Sequence, residues 1–216
     1  MTLAFLHTSS AHIATFNALL AELAPDIPVE HSVDESLLRD ACAMGSVTPA
    51  LRARVEETVL ALERRGATVI VCTCSTIGAV VEELNGRSSA LLLRIDRPMA
   101  EEAVKRGARI IVAATLASTL MPTRELLYSV ASQLHTNVQV IDLLCETAWK
   151  YFAMGDQAAY LQEIAHQLQS AAHNGDVIVL AQASMAWATE LCPELAVPVL
   201  TSPRSSLLAA IHAYYS

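Results

Sequence analysis

The chain of 216 residues is long enough for one large or two small domains, and its composition of 53% hydrophobic against 17% charged residues excludes a disordered protein. The formal net charge of −8 makes nucleic acid and anionic membrane surfaces unfavourable partners, because both carry phosphate groups. The longest apolar run, residues 110–121, is too short for a membrane span, and the start of the chain lacks the basic segment of a signal peptide. The five cysteines show no disulfide framework. We therefore expect a soluble, cytoplasmic protein.

Short apolar strands alternate with longer amphipathic helices along the chain. The predicted strands are residues 3–7, 29–33, 68–73, 90–95, 109–114, 137–142, 176–181 and 197–200. Several of them are apolar at consecutive positions, which is typical of parallel strands that are covered on both faces. Residues 49–65 instead have apolar residues at helical spacing on one face and charged residues on the other, and we predict that they form a helix. This alternation predicts an α/β fold with parallel sheets and right-handed crossovers.

An internal repeat connects three of these strands. Each strand follows a glycine that we expect to close the preceding helix in the left-handed conformation: Gly66, Gly107 and Gly175. Aligning the apolar triplets of the strands places Cys74, Thr115 and Gln182 at equivalent positions, just beyond the carboxyl end of each strand.

The loops at the carboxyl ends of the strands are where open α/β sheets bind ligands. Four of these loops carry hydroxyl and amide groups but no Lys, Arg, Asp or Glu. The candidate binding residues in them are Thr8, Ser9, Ser75, Thr76, Thr115, Ser118, Thr119, Gln182 and Ser184. Any single one of the serines and threonines is better explained as a helix cap than as a ligand contact. Together with the N–H groups at the helix starts, they predict a site for a small anion such as a carboxylate.

Cys74 is the candidate catalytic residue. It follows a buried strand and precedes a helix that we expect to begin near Ile77. The positive end of that helix would lower the pKa of the thiol from about 8.5 towards neutrality, so that the thiolate could act as a base or a nucleophile. Cys72 is interpreted as a core residue. His7, beside the first hydroxyl loop, is either an acid, an orienting group or a structural histidine.

No metal or dinucleotide site is predicted. The Cys72 and Cys74 pair has the wrong spacing for a zinc motif, and the seven histidines are scattered. The loop after the first strand lacks the Gly-x-Gly-x-x-Gly pattern, and no other loop is rich enough in glycine to hold a phosphate.

The cysteine loop resembles the first cysteine motif of the aspartate/glutamate racemase superfamily, which also includes hydantoin racemase, maleate isomerase and arylmalonate decarboxylase. The similar segment is Val-Ile-Val-Cys-Thr-Cys-Ser-Thr, residues 69–76. Residues 95–104 resemble the linker and first helix of the second lobe, and residues 114–119 resemble an Ala-Thr-x-x-Thr loop of that superfamily. Residues 180–185 lie where its members have a second cysteine motif.

This resemblance implies two similar α/β lobes related by a pseudo-twofold axis, with the site in the cleft between them. Residues 1–95 and 201–216 would form the lobe of Cys74, and residues 96–200 the lobe of Thr115 and Gln182. The resemblance also implies a cofactor-independent reaction, in which two cysteines on opposite faces of a carbon atom remove and return a proton. Hydroxyl and N–H donors would stabilise the charge that builds on the substrate. A homo-oligomer, with a dimer favoured, is a further implication.

Gln182 occupies the place of the second cysteine, and a carboxamide is neither a base nor a useful acid. We therefore expect a racemase or isomerase that acts at the α-carbon of a small carboxylate or amino acid through the single thiol of Cys74. The alternatives are a one-cysteine decarboxylase of a malonate-type acid and a protein that binds a small carboxylate without catalysis. A purely structural subunit is a third alternative.

Overall fold

A computed structural model describes all 216 residues of the chain. The chain forms two compact units, unit 1 with residues 1–97 and 203–216 and unit 2 with residues 98–202. Each unit contains one four-stranded parallel sheet flanked by helices. The predicted α/β fold with parallel sheets is confirmed. None of the helices has both the length and the apolar composition that crossing a membrane requires.

Unit 1 begins with a strand that becomes an inner strand of its sheet. Its elements are β1 (Thr2–His7), α1 (His12–Leu23), β2 (Val29–Val33), α2 (Glu35–Met44), α3 (Pro49–Arg64), β3 (Ala67–Cys72), α4 (Ser75–Glu83) and β4 (Leu91–Arg94). The strand order in the sheet is β2–β1–β3–β4, and every pairing is parallel. The carboxyl ends of β1 and β3 therefore lie side by side.

Unit 2 repeats this arrangement. Its elements are α5 (Arg97–Arg106), β5 (Arg109–Ala114), α6 (Ala117–Gln133), β6 (Gln139–Leu144), α7 (Glu146–Ala153), α8 (Gln157–Ala171), β7 (Val177–Leu180), a 3-10 helix (Ala183–Leu191) and β8 (Val199–Thr201). The strand order is β6–β5–β7–β8, again parallel throughout. The last helix, α9 (Ser202–Tyr215), follows β8 and belongs almost entirely to unit 1.

The sheet order corrects the alignment of the internal repeat. In each unit the first strand lies between the second and the third, so β5 corresponds to β1 and β7 corresponds to β3. Thr115, which follows β5, is therefore the counterpart of Thr8, whereas Gln182 is the counterpart of Cys74. The apolar triplets could not distinguish these strands, because every inner strand of a parallel sheet is apolar on both faces.

The three repeat glycines have different structural roles. Gly66 has a φ of +96° and ends α3 in the left-handed conformation, as predicted. The same prediction is wrong for Gly107 and Gly175, which are not left-handed. A Cβ atom at Gly107 would lie 2.5 Å from the side chain of Asp176, and one at Gly175 would lie 2.7 Å from that of Ile111. At these two positions glycine is needed because another side chain comes close to the backbone.

The cores lie on both faces of the sheets. In β7, Val177 and Val179 belong to one buried cluster, whereas Ile178 and Leu180 belong to another on the opposite face. Consecutive residues of the strand are thus all buried, which explains the continuous apolar run in the sequence. The predicted start of α4 near Ile77 is wrong by two residues, since the helix begins at Ser75 and Cys74 itself is the N-cap.

Candidate active site

The thiol of Cys74 lies at the junction between β3 and α4. Cys74 is the N-cap residue of α4, in an extended conformation, two residues beyond the end of β3. Its residue surface is 7% exposed. The adjacent strand β1 ends at His7, and Thr8 follows it; both residues are also buried. The parallel pairing of β1 and β3 therefore brings the loop after β1 next to the cysteine loop.

Four hydrogen-bond donors act on the sulfur of Cys74. They are the Thr8 hydroxyl, the backbone N–H groups of Ile77 and Thr76, and the Thr76 hydroxyl, and each of them lowers the pKa of the thiol. The sulfur does not complete a cap hydrogen bond with α4, so the N–H groups act on it mainly as oriented dipoles. These donors would stabilise a negative charge on sulfur.

Burial has the larger effect on Cys74. Desolvation of the thiolate raises the pKa of Cys74 above its ordinary value, in spite of the four donors. The predicted pKa near neutrality is therefore wrong, because the sequence shows that a helix follows Cys74 but does not show how little water reaches the sulfur. An ordinary thiol pKa of about 8.5 already favours the neutral form at pH 7, and burial of Cys74 shifts the balance further towards that form. The four donors act on the thiolate once the proton has left.

His7 is a neutral, hydrogen-bonded residue at the end of β1. Its Nδ1 atom lies 2.8 Å from Oγ1 of Thr73, and its Nε2 atom lies 2.9 Å from Nδ1 of His31. Burial lowers the pKa of His7 to about 3, with further contributions from His12 and His31. A group with this pKa is not charged at neutral pH and is not a proton donor there. Of the three roles that the sequence left open for His7, the geometry favours an orienting one.

Unit 2 has a corresponding pair of residues at the ends of β5 and β7. The side-chain oxygen Oε1 of Gln182 lies 2.5 Å from the backbone N of Thr115 and 2.9 Å from its hydroxyl oxygen. A backbone N–H can only donate, so the atom of Gln182 that faces it must be the oxygen. The NH₂ group of Gln182 consequently points away from Thr115. Gln182 is partly exposed, so this loop presents two N–H donors.

Tyr160 supports this loop from α8. Its hydroxyl lies 2.7 Å from Oγ of Ser184 and also interacts with the side chain of Thr115. The tyrosine is fully buried, and burial raises its pKa to about 12. The sequence gives no signal for Tyr160, because an aromatic residue in an amphipathic helix is ordinarily part of a core. Ser184 thus uses its hydroxyl within the protein.

The other predicted binding residues lie in the first turns after the strands. Ser75 and Thr76 are 6% and 5% exposed at the start of α4. Thr119 is 2% exposed and Ser118 is partly exposed in the first turn of α6. Ser9 is partly exposed, and its hydroxyl accepts a bond from the backbone N of Ala11 at 3.4 Å. These positions agree with roles as caps or as ligand contacts.

The two buried charged residues that act on Cys72 are paired with each other. Arg94 and Asp96 are buried and form a bidentate ion pair, with Nε to Oδ1 at 2.6 Å and Nη2 to Oδ2 at 3.0 Å. Cys72 is fully buried, and its thiol donates to the carbonyl oxygen of Cys74 at 3.5 Å, in agreement with a core role. No group of three or more His, Cys, Asp or Glu side chains is arranged to hold a metal ion.

The chain has two topologically equivalent α/β units, and one of them carries a buried thiol at the carboxyl end of its parallel sheet. These two features define a class of two-lobed α/β proteins. The chain belongs to the Asp/Glu/Hydantoin racemase family, whose model matches residues 6–210. This family is the one that the cysteine loop resembles in sequence. Among curated protein sequences, none matches the chain.

Solved structures with the same fold include racemases and a decarboxylase. An aspartate racemase from Picrophilus torridus is 14% identical, with a TM-score of 0.74 over 99% of this chain and 94% of that chain. A glutamate racemase from Bacillus anthracis is 16% identical, with a TM-score of 0.73 over 99% of this chain and 82% of that chain. A glycine-to-cysteine variant of arylmalonate decarboxylase, in a form with associated sulfate, is 17% identical, with a TM-score of 0.57 over 100% of this chain and 94% of that chain.

Proposed function

We propose that this protein is a cofactor-independent racemase or isomerase that acts at the α-carbon of a small carboxylic acid or amino acid. The proposal depends on one observation above all: Cys74 holds its sulfur at the start of α4, within reach of the Thr8 and Thr76 hydroxyls and of two backbone N–H groups. Membership of the racemase family supports a proton transfer at carbon as the chemistry of this thiol.

In the proposed reaction the Cys74 thiolate takes the proton from the α-carbon. The electron pair of the C–H bond moves into the substrate carboxyl group, which becomes enolate-like, and the sulfur becomes a neutral thiol. Return of the proton from sulfur to the same face of the carbon regenerates the thiolate and the original configuration. With a single thiol, inversion requires that the planar intermediate turn its other face towards Cys74 before the proton returns. The four donors around the sulfur stabilise it in the charged half of this cycle, and neutral donors of the same kind are suited to the enolate-like carboxyl group.

We propose that the loop of Gln182 contributes to carboxylate binding. Its NH₂ group is directed away from Thr115 because the side-chain oxygen is held by two donors. Two N–H donors without a positive charge suit a carboxylate or a carbonyl oxygen, and they do not supply a second acid or base. Cys74 is therefore the one proposed group for proton transfer to or from carbon.

A one-cysteine decarboxylase is the second candidate, and the burial of Cys74 favours it. In this reaction a malonate-type acid loses carbon dioxide, and the electron pair of the broken C–C bond forms an enolate-like intermediate. A neutral Cys74 thiol then donates its proton to the carbon, and water reprotonates the sulfur. The raised pKa of Cys74 keeps the thiol in the protonated form that this step needs.

Hydrogen exchange at carbon is the most direct test. The protein is incubated in D₂O with aspartate, glutamate, hydantoins, maleate or substituted malonates, and NMR follows the loss of the α-proton signal. Chiral chromatography measures inversion, and carbon dioxide release measures decarboxylation. Cys74→Ser should abolish turnover while the circular dichroism spectrum is retained. Cys42→Ser, on the exposed side of α2, is the matched control and should keep full activity.

Each outcome separates the candidate functions. Exchange with inversion supports the racemase, and release of carbon dioxide supports the decarboxylase. Binding without turnover of any of these acids, seen as a thermal shift, would support a protein that holds a carboxylate without catalysis. Full turnover by Cys74→Ser would overturn every proposal that uses this thiol.

A further inference from the structure

Four side chains in unit 1 form a hydrogen-bonded chain that leads from the cysteine loop to the protein surface. Thr73 Oγ1 lies 2.8 Å from His7 Nδ1, and His7 Nε2 lies 2.9 Å from His31 Nδ1. His31 Nε2 lies 2.9 Å from Oδ1 of Asn17, which is exposed on α1. We call these four residues the histidine network. Of these four residues, only His7 is a candidate from the sequence alone.

The histidine network joins the two segments that form the thiol site. His7 ends β1 and directly precedes Thr8, whereas Thr73 follows β3 and directly precedes Cys74. The bond between His7 and Thr73 spans 66 residues of sequence. A second link lies beside it, since the backbone N–H of Thr73 donates to the carbonyl oxygen of Leu6 at 3.0 Å, and the Thr73 hydroxyl oxygen lies 3.2 Å from the same carbonyl oxygen. The positions of Thr8 and Cys74 relative to each other therefore depend on this junction.

We propose that His7 is a positioning residue for Cys74: through its bond to Thr73, with the ring held by His31 and Asn17, it keeps the Thr8 hydroxyl against the sulfur. The loop after β1 reaches Thr8 one residue beyond His7, so a shift of His7 moves the hydroxyl directly. This inference concerns the state of the thiol and does not depend on which reaction the thiol performs.

The hydrogen atoms of the network can be assigned in two neutral ways. In the first, Thr73 donates to His7 Nδ1, His7 Nε2–H donates to His31, and His31 Nε2–H donates to the oxygen of Asn17. In the second, Thr73 donates to the carbonyl oxygen of Leu6 and every other bond is reversed, with the amide group of Asn17 turned over. Both ring nitrogens of His7 are satisfied in either case. The ring therefore has a fixed orientation without carrying a charge.

The surroundings of His7 favour this neutral form. The titratable groups that face it are His31 on β2 and His12 on α1, with ring centroids 5.1 and 6.1 Å away. Phe5 and Phe16 pack against the same ring at 5.7 and 5.9 Å. If both His7 and His31 were charged, their facing nitrogens would each carry a hydrogen, and the bond between them would be lost. His7 therefore acts on the thiol by geometry and not by charge.

The test uses the rate at which iodoacetamide alkylates Cys74 as a function of pH, with the modified peptide identified by mass spectrometry. Alkylation reports the thiolate fraction and needs no substrate. Thr8→Val removes the hydroxyl itself, and we expect the thiol pKa to rise and the rate at pH 8 to fall about tenfold, the effect of one hydrogen bond to a charged group. His7→Leu and Thr73→Val should give a shift in the same direction.

The conservative variant and a matched control complete the design. His7→Asn keeps an amide near the Nδ1 position, so it can still bond to Thr73, and its alkylation rate should stay within about twofold of the original protein. His12→Leu changes a neighbouring histidine whose Nδ1 atom is buried without a hydrogen-bond partner, and it should leave the thiol pKa unchanged. The double variant His7→Leu with Thr73→Val should be no slower than either single variant, because both remove the same bond.

Unchanged alkylation profiles in Thr73→Val and in folded His7→Leu would overturn the proposal. If His7→Leu does not fold, Thr73→Val decides alone, since valine has nearly the shape of threonine. An equal loss in His7→Asn and His7→Leu would also contradict it, because the bond to Thr73 would then not be the cause. Failure of the enzyme proposal would appear as absent turnover with a normal alkylation profile, so the two results are distinguishable.

Discussion

Gln182 is bound to Thr115 through its side-chain oxygen, which lies 2.5 Å from the backbone N and 2.9 Å from the hydroxyl oxygen of that residue. The same topological positions in unit 1 hold Cys74 and Thr8, and there too the threonine hydroxyl acts on the side chain that follows the third strand. The two units thus share one arrangement, in which a threonine after the first strand acts on the side chain that follows the third strand, but that side chain differs in its chemistry. In unit 1 the donor stabilises a charged sulfur, and in unit 2 it fixes the direction of an amide.

Gln182→Glu tests the role of the amide. A glutamate oxygen can still accept from Thr115, so we expect the free energy of unfolding at pH 7 to change by less than about 1 kcal/mol. The NH₂ donors are replaced by a negative charge, which repels a carboxylate, so KM for an acid substrate should rise at least about tenfold. Steady-state kinetics and urea unfolding measure the two quantities.

Gln182→Met is the corresponding control for stability. It leaves the buried N–H of Thr115 without a partner, which should cost about 1–3 kcal/mol. The outcome that would contradict the prediction concerns the first variant: if the KM of Gln182→Glu for an acid substrate equalled that of the original protein, the amide would have no role in recognition.

The pH dependence of turnover distinguishes the two candidate reactions. If Cys74 acts as a base, the active form is the thiolate, and exchange at carbon should rise about tenfold per pH unit below the raised pKa of the thiol. If Cys74 acts as an acid in a decarboxylation, the active form is the thiol, and the rate should be level at neutral pH and fall above that pKa. The measurement is kcat/KM between pH 6 and 10. Exchange that becomes slower from pH 6 to 8 would contradict the role of a base.

Unit 1 should lose stability in mild acid because three of its histidines, one buried and two partly buried, resist protonation in the folded protein. Burial lowers the pKa of His7 to about 3 and that of His12 to about 4, and it also lowers the pKa of His31. In the unfolded chain these groups take up protons below a pH of about 6.5, whereas the folded protein resists protonation. Their contribution to stability is therefore complete above about pH 6.5 and is lost as the pH falls towards 4.

Urea unfolding between pH 7 and 4.5 measures this loss. Each neutral histidine should contribute up to about 1.4 kcal/mol per pH unit to the slope of the unfolding free energy. His12→Leu removes one such group without removing a hydrogen bond of its Nδ1 atom, so its slope should be smaller by about that amount. An identical slope in the variant would mean that His12 is charged in the folded protein or neutral in the unfolded one.

Gly175→Ala tests the close approach between the loop before β7 and the neighbouring strand. The added Cβ atom would lie 2.7 Å from Cγ1 and 2.9 Å from Cδ1 of Ile111. The φ angle of Gly175, −135°, is acceptable for alanine, so the backbone itself does not oppose the change. We expect a loss of about 1–3 kcal/mol in unfolding free energy, from overpacking alone. In an Ile111→Ala background the same change should cost much less, and additive effects in this cycle would refute the steric cause.

The amino-acid sequence by itself determined the local features of this protein. All eight strands, their parallel arrangement and the position of the cysteine loop follow from short apolar runs and from the residues that succeed them. The resemblance of residues 69–76 to a cysteine motif agrees with the family that the whole chain matches. These features depend on neighbours along the chain, which a sequence displays directly.

Tertiary structure decided which loops meet and how much water reaches them. Parallel pairing places Thr8 beside Cys74, and the link between Thr115 and Gln182 spans 67 residues of sequence. The sequence pattern aligned Thr115 with the wrong partner, and it predicted a lowered pKa for a thiol whose pKa is in fact raised by burial. Strand order and desolvation depend on residues that are distant along the chain, so no local pattern encodes them.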